Sequence, residues 1–149
     1  MNDLPVLFRL AAHTDNNFIY GSWLPSERNN IRLTPKEIYT KEQTNKIKYI
    51  LSHSQTMVAY LDPLPNEPEI LLAYIVYQYL HERLIIHYAF TKNSFRNKGI
   101  QRMLINLINI LHTPIILTAI PQANILKTMQ KTTNIIYDHY YFERKTYGE

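Results

Sequence analysis

The stretch that most constrains this chain runs from Leu84 to Leu111, where a strand-like run passes through a basic loop into an apolar helix. Leu84 to Thr91 reads Leu-Ile-Ile-His-Tyr-Ala-Phe-Thr, and its β-branched and aromatic side chains favour an extended backbone. Downstream, Ile100, Met103, Leu104, Leu107, Ile108 and Leu111 recur at helical spacing, while Arg102, Asn106 and Asn109 share the opposite face. Between the two lies Arg96-Asn97-Lys98-Gly99-Ile100-Gln101-Arg102. First-turn N–H groups of a helix lack intrahelical partners and the helix dipole adds positive potential, so a strand, loop and helix start in this order binds anions. Arg96, Lys98 and Arg102 place their charges around the same point, which suits a pyrophosphate better than a lone carboxylate.

A length of 149 residues predicts one domain, 1–149, large enough to bury a core. Hydrophobic residues make up 46% and charged residues 19%, which excludes a disordered chain. The longest mostly apolar run, Ile70 to Leu80, is roughly half of what crosses a bilayer, so no membrane partner is expected. Met-Asn-Asp-Leu-Pro lacks the basic start and apolar core of a signal peptide, and a cytoplasmic location is the expectation. The absence of cysteine removes disulfides, thiolate nucleophiles and cysteine-ligated zinc. The six histidines show no close pairing with carboxylates at metal-ligand spacing, so no metal is expected. The net charge of +4 is carried partly by Lys36, Lys41, Lys46 and Lys48, but these are interleaved with acidic residues and form no dense stripe. Nucleic acid is therefore not an expected partner.

In chain order, Val6 to Ala12 reads as a strand, and Thr14 or Asp15 as the N-cap of a helix carrying Phe18, Ile19 and Trp23 and ended by Pro25. Thr34-Pro35-Lys36-Glu37 reads as a capping box opening a helix with a break near Thr44, with Ile47, Ile50 and Leu51 on its apolar face. Met57 to Leu61, Ile70 to Tyr79 and Leu84 to Thr91 are three consecutive strands, the last two joined by a hairpin turn at Leu80-His81-Glu82-Arg83. After the apolar helix, Pro114 to Ile120 is a short buried strand reached by a helical crossover, hence parallel to the one before it. Ala123 to Lys131 suits a short helix, and Asn134 to Phe142 a final strand. The order is β-α-α-β-β-β-α-β-α-β.

That order, with a basic glycine-containing loop after the fourth strand, resembles the GNAT superfamily of acyl-CoA-dependent N-acyltransferases. The family signature is Arg/Gln-x-x-Gly-x-Gly/Ala; Arg96 and Gly99 match its first two fixed positions, and Gln101 stands at the third, where a small residue is usual. Further on, Ile136-Tyr137-Asp138-His139-Tyr140-Tyr141-Phe142 resembles the family's Leu-Tyr-Glu-Lys-x-Gly-Phe segment, with Tyr141 at the glycine position. Some small phage-borne members share this look. The resemblance implies an α/β fold with a mixed, mostly antiparallel sheet splayed between strands 4 and 5 and helices on both faces. It implies acetyl-CoA as acyl donor and a primary amine as acceptor, either a small molecule or a protein lysine or N-terminus. It also implies that Phe90 and Thr91 present backbone to the pantetheine arm, that Arg96, Asn97, Lys98, Gly99, Ile100, Gln101 and Arg102 hold the pyrophosphate, and that Tyr137 protonates the leaving thiolate.

Acyl transfer to an amine needs a base, donors for the oxyanion and an acid for the thiolate. No Asp or Glu lies between Glu82 and Asp138, and Glu82 belongs to the wrong end of the strand. His87 is nearer and titrates in the useful range, although its alternation with apolar neighbours equally suits a structural histidine. Tyr88 and Tyr137 are candidate acids. The shortage of carboxylates keeps an alternative open, a catalytically silent domain of the same fold that binds a partner protein. Tyr-rich edges such as Tyr74-Ile75-Val76-Tyr77, or the C-terminal strand, could pair in a homodimer.

Overall fold

The computed structural model describes residues 5–28, 34–62, 65–110, 114–118, 123–132 and 135–138. Its elements run β1 (Val6–Leu10), α1 (Asn16–Arg28), α2 (Lys36–His53), β2 (Gln55–Leu61), β3 (Ile70–Leu80), β4 (Arg83–Thr91), α3 (Ile100–Ile108), β5 (Ile115–Leu117), α4 (Ala123–Thr132) and β6 (Ile135–Tyr137). The strands form one sheet in the order β1-β2-β3-β4-β5-β6. Pairing is antiparallel from β1 to β4, then parallel for β4–β5 and β5–β6, as the helical crossovers require. Residues 139–142, which the sequence pattern assigns to the last strand, lie outside the described residues.

Each face of the sheet carries its own core. On one side Ile19 and Trp23 of α1 and Ile47 and Ile50 of α2 pack on Val58, Tyr74, Val76 and Tyr88. On the other, Ile100, Leu104, Ile105 and Ile108 of α3 and Ile125 and Met129 of α4 cover Ala59, Ala73, Ile75, Tyr77, Ile86 and Ala89. β3 is sandwiched between these layers, which is why Leu72 through Tyr77 are buried without alternation. The Tyr74–Tyr77 stretch is therefore central strand, not an exposed edge open to dimer pairing; among the described residues the edges are β1 and β6.

Local chemistry explains several departures from the sequence pattern. Pro25 lies inside α1, not at its end. The carbonyl it leaves without a helical donor belongs to Gly21; both residues are exposed, so water can serve that oxygen and no Cβ crowds the proline ring. Asp15 sits just before α1, its carboxylate accepting the Ala12 N–H at 2.7 Å and two bonds from the Arg9 guanidinium at 2.7 and 3.0 Å. α2 begins one residue late for a Thr34 capping box: Pro35, extended at φ −54° and ψ 141°, takes the N-cap position, and no side chain caps the helix. It then runs unbroken through Thr44, because Tyr39, Gln43, Ile47 and Ile50 keep one continuous buried face. The β3–β4 hairpin turns through His81 (φ 51°) and Glu82 (φ 62°), the paired left-handed residues of a two-residue turn that matches strand twist.

Candidate active site

The open part of the sheet is made by a register fault in β4. Val76 pairs with Tyr88 but Tyr77 pairs with Ile86, so His87 is an extra residue, a β-bulge that bends and twists its strand. β5 pairs with β4 at Ile85–Ile116 and Ile86–Leu117, and the Thr118 N–H donates to the Ile86 carbonyl at 3.2 Å. Among the described residues the pairing stops there, while β4 continues to Thr91. The splay thus begins at the bulge. Lys92 N–H donates to the Leu72 carbonyl, so by antiparallel alternation Phe90 and Tyr88 exchange backbone bonds with β3, and Ala89 and Thr91 face the splay.

His87 fastens the apex of this opening. Its Nδ1 lies 2.8 Å from Thr118 Oγ1 and its Nε2 lies 2.7 Å from Gln78 Oε1. The carboxamide oxygen accepts, so Nε2 carries the proton and Nδ1 receives the threonine hydroxyl. Burial, with a smaller contribution from the Lys46 charge, pushes the ring down to about 4. His87 is consequently neutral, with both nitrogens engaged.

Below the splay the chain folds into the anion loop expected from sequence. Asn97 (φ 62°) and Gly99 (φ 79°) both adopt left-handed backbone, and Gly99 is the N-cap of α3. Met103 N–H is the first to close onto the Gly99 carbonyl, at 3.1 Å, which leaves the N–H groups of Ile100, Gln101 and Arg102 outside the helical ladder. Lys98 and Arg102 are exposed; Arg96 is half-buried, its Nε donating to the Thr91 carbonyl at 3.1 Å and its Nη1 to Asn93 Oδ1 at 3.2 Å.

Gln101, at the position where a small residue is usual, turns inward and not toward the loop. Its Nε2 donates to the Tyr74 carbonyl at 3.2 Å and to the Phe90 carbonyl at 3.0 Å, tying the first turn of α3 to β3 and β4. Its Oε1 and the Thr91 hydroxyl are buried without hydrogen-bond partners. Thr91, Asn97, Gly99, Ile100, Gln101 and Arg102 line a cavity of about 30 Å³, closed further by Phe95 and Ile125.

On the opposite face, α1 brings a polar cluster to β4 beside the bulge. Trp23 stacks on Tyr88 with centroids 4.7 Å apart and planes 5° from parallel. The Tyr88 and Ser26 hydroxyls are hydrogen-bonded, and Ser26 donates to the Trp23 carbonyl at 2.9 Å, so the phenol is the donor to Ser26. Glu27 accepts from Trp23 Nε1 at 3.3 Å and from Gln43 Nε2 at 2.5 Å. Burial pushes the Tyr88 hydroxyl up to about 12, with the Glu27 charge acting in the same direction and Ser26 and Arg96 opposing it.

Among solved structures, the chain is similar to one described as a "possible acetyltransferase" from Clostridium difficile 630, with a TM-score of 0.57 over 91% of this chain and 95% of that one, at 16% identity. The fold is GNAT-like. A second similar structure, AAC(6')-Iy in complex with the bisubstrate analog CoA-S-monomethyl-acetylneamine, has 12% identity, coverage of 96% and 87%, and a TM-score of 0.41, which adds nothing to the assignment. No family model and no curated protein matches the sequence.

Within this GNAT-like fold the residues singled out by sequence fall into separate places. The 96–102 loop and Thr91 come together under the splay, whereas Phe90 contributes a carbonyl that Gln101 already holds. Tyr88 lies on the α1 face beside the bulge. Tyr137 pairs with Leu117 on edge strand β6, two strands from β4 and 53% exposed. Glu27 escapes a search along β4 because it arrives from α1; its one signal in the sequence is the helical spacing of Trp23, Ser26 and Glu27. Among the described residues no group of three metal-ligating side chains converges, and no helix is long and apolar enough to cross a membrane.

Proposed function

We propose that this chain, 1–149, is an acyltransferase domain that takes an acetyl group, or another acyl group, from a CoA ester to a primary amine by direct attack in a ternary complex. The observation that carries the reading is the coincidence of the β4 bulge, where β5 departs, with a helix start that offers free N–H groups beside Arg96, Lys98 and Arg102. A pantetheine arm entering that opening would meet the backbone of Ala89 and Thr91, and the pyrophosphate would lie on the N–H groups of Ile100, Gln101 and Arg102. The likeness to a structure described as a "possible acetyltransferase" supports the same reading.

The roles divide by environment. His87, buried and engaged on both nitrogens, orients the bulge and the end of β5. Tyr88 holds its proton firmly and donates it to Ser26, so it braces α1 against the bulge and is not a ready acid. Tyr137, exposed on β6, is the remaining candidate donor to the thiolate. The domain is proposed to work in the cytoplasm, with β6, one of the two edges among the described residues, as the strand for pairing in a homodimer.

A titration with acetyl-CoA followed by thermal unfolding, then a free-thiol assay across an amine panel, tests the proposal. Stabilisation and amine-dependent thiol release are expected; no stabilisation at millimolar acetyl-CoA overturns it. The second reading, a silent binding module, is favoured by Gln101, whose amide stands where a small residue is usual and already holds the Tyr74 and Phe90 carbonyls. Acetyl-CoA binding without turnover on any amine would select that reading.

A further inference from the structure

A second cavity, of about 390 Å³, lies where β1 ends and β2 begins, between the start of α1 and the end of α2. It belongs to the other end of the sheet from the anion loop. Thr56 pairs with Val76 and Gln55 with Tyr77, toward the hairpin end of β3, whereas the Arg96–Arg102 loop follows Thr91, which pairs with Ala73. The cavity shares no lining residue with the one beneath the splay. Leu10, Ala11, Ile19 and Leu51 give it aliphatic surface, and its volume is that of a small-molecule site. No Asp, Glu, Lys or Arg lines it, so a charged ligand would lose water there without gaining a counter-ion.

The polar groups on its wall are incompletely used. Thr56 is only 8% exposed and stands on the same sheet face as Val58, under α1 and α2, yet among the described residues its hydroxyl has no hydrogen-bond partner. A hydroxyl withdrawn from water in this way is destabilising until an acceptor or donor meets it. The Ser54 hydroxyl donates to Gln78 Oε1 at 3.3 Å, longer than the usual range for such a bond. Asn16 Nδ2 lies 3.2 Å from His13 Nδ1; an amide N–H can only donate, so the Asn16 Oδ1 lone pairs stay open. Two hydroxyl donors and one amide acceptor, set in aliphatic surface, complement a carboxamide.

We infer that this cavity binds a small neutral carboxamide carried on an apolar body, and that its occupant is sensed at the β4 bulge. The ligand carbonyl accepts from the Thr56 and Ser54 hydroxyls, its N–H donates to Asn16, and its body lies against Ile19 and Leu51. The coupling follows from the single proton of Ser54. Gln78 Oε1 accepts from both Ser54 and His87 Nε2, and His87 Nδ1 accepts from Thr118 at the end of β5. A carbonyl that draws the Ser54 proton into the cavity leaves Gln78 to His87 alone and strengthens that bond, and with it the tie from the bulge to β5. Ser54 is thus a two-position element that both ends of the chain bias. The site stands apart from the acyltransferase reading, since it needs neither a CoA ester nor an amine.

Benzamide, benzoate and benzylammonium, alike in shape and different in charge, are the probes, titrated into isotope-labelled protein and followed by NMR. Benzamide is expected to shift the Ala11, Ser54 and Thr56 amides saturably with a Kd of about 1 mM or tighter. The two ions should bind at least about tenfold more weakly. Thr56→Val keeps the shape, removes the hydroxyl and should weaken benzamide about tenfold. Ala12→Leu, at the exposed edge of the cavity, should block entry independently. The Thr118 methyl is expected to move with the same Kd as the cavity amides, and in Gln78→Leu the cavity response should persist while the Thr118 response is lost. No saturable shift at about 20 mM benzamide, or shifts that both cavity variants leave unchanged, would overturn the site. Equal affinity for either ion would rule out the carboxamide assignment. A Thr118 methyl that stays still at saturation, or moves equally in Gln78→Leu, would disprove the coupling.

Discussion

Substituting glutamine for His87 should make the protein less sensitive to acid. The ring is held at about 4, against 6.5 for an unperturbed histidine, by burial and by Lys46. Between those values the unfolded chain takes up a proton that the folded one refuses, so stability is complete above 6.5 and falls as pH drops toward 4. At about 1.4 kcal/mol per pH unit the full cost is about 3 to 4 kcal/mol, most of it spent by roughly pH 4.5. Glutamine offers the same polarity, an oxygen toward the Thr118 hydroxyl and an N–H toward Gln78, but no titration. Urea unfolding followed by Trp23 fluorescence at about pH 7.5 and 4.5 is the assay; the loss between the two should be about 2 to 3 kcal/mol smaller in His87→Gln. Equal losses in both proteins would refute the claim that the bulge histidine is buried and neutral.

Three further substitutions test neighbouring parts of the account. Gly99→Ala places a side chain at φ 79° in open space, so the expected cost of about 1 to 2 kcal/mol in thermal or urea unfolding comes from backbone strain alone. Asp15→Ala removes the carboxylate that accepts two Arg9 bonds and the Ala12 N–H, and should cost about 2 to 3 kcal/mol by urea unfolding. Because the Arg9 guanidinium holds Asp15 below the usual carboxylate range, that contribution is present at neutral pH and fades as pH falls through and below 3.8. Arg96→Ala should weaken acetyl-CoA binding by about 1.5 to 3 kcal/mol in calorimetry through loss of a charge-assisted phosphate contact.

The sequence made the framework legible because its strongest signals are periodic. Residues 84–108 show a strand, a glycine-bearing loop and an apolar helix, and the structure reproduces each as β4, the Gly99 N-cap and α3. The three consecutive strands and the helical crossover to β5 follow the same logic. What failed did so where a local rule met a tertiary one: Pro25 reads as a helix end, yet solvent serves the orphan carbonyl and packing of Ile19 and Trp23 carries α1 past it. The Tyr74–Tyr77 run has the composition of an edge as much as of a centre, and only its neighbours β2 and β4 decide. The bulge at His87 was invisible, since an inserted residue shows itself through its partner strand, not through its own sequence. Gln101 was marked as unusual, but its reach to the Tyr74 and Phe90 carbonyls depends on how α3 lies across the sheet. Glu27 was hidden for a similar reason, being separated from Tyr88 by 61 positions of sequence and joined to its surroundings through Trp23 and Ser26.

The loop from Arg96 to Arg102 and the open edge of β4 are proposed to form one site for a CoA ester. Isothermal calorimetry of the purified protein with acetyl-CoA tests it most directly. Saturable one-to-one binding that Arg96→Ala weakens at least tenfold is expected, the lower end of a charge-assisted phosphate contact. No heat at millimolar acetyl-CoA, or binding that Arg96→Ala leaves untouched, would contradict it.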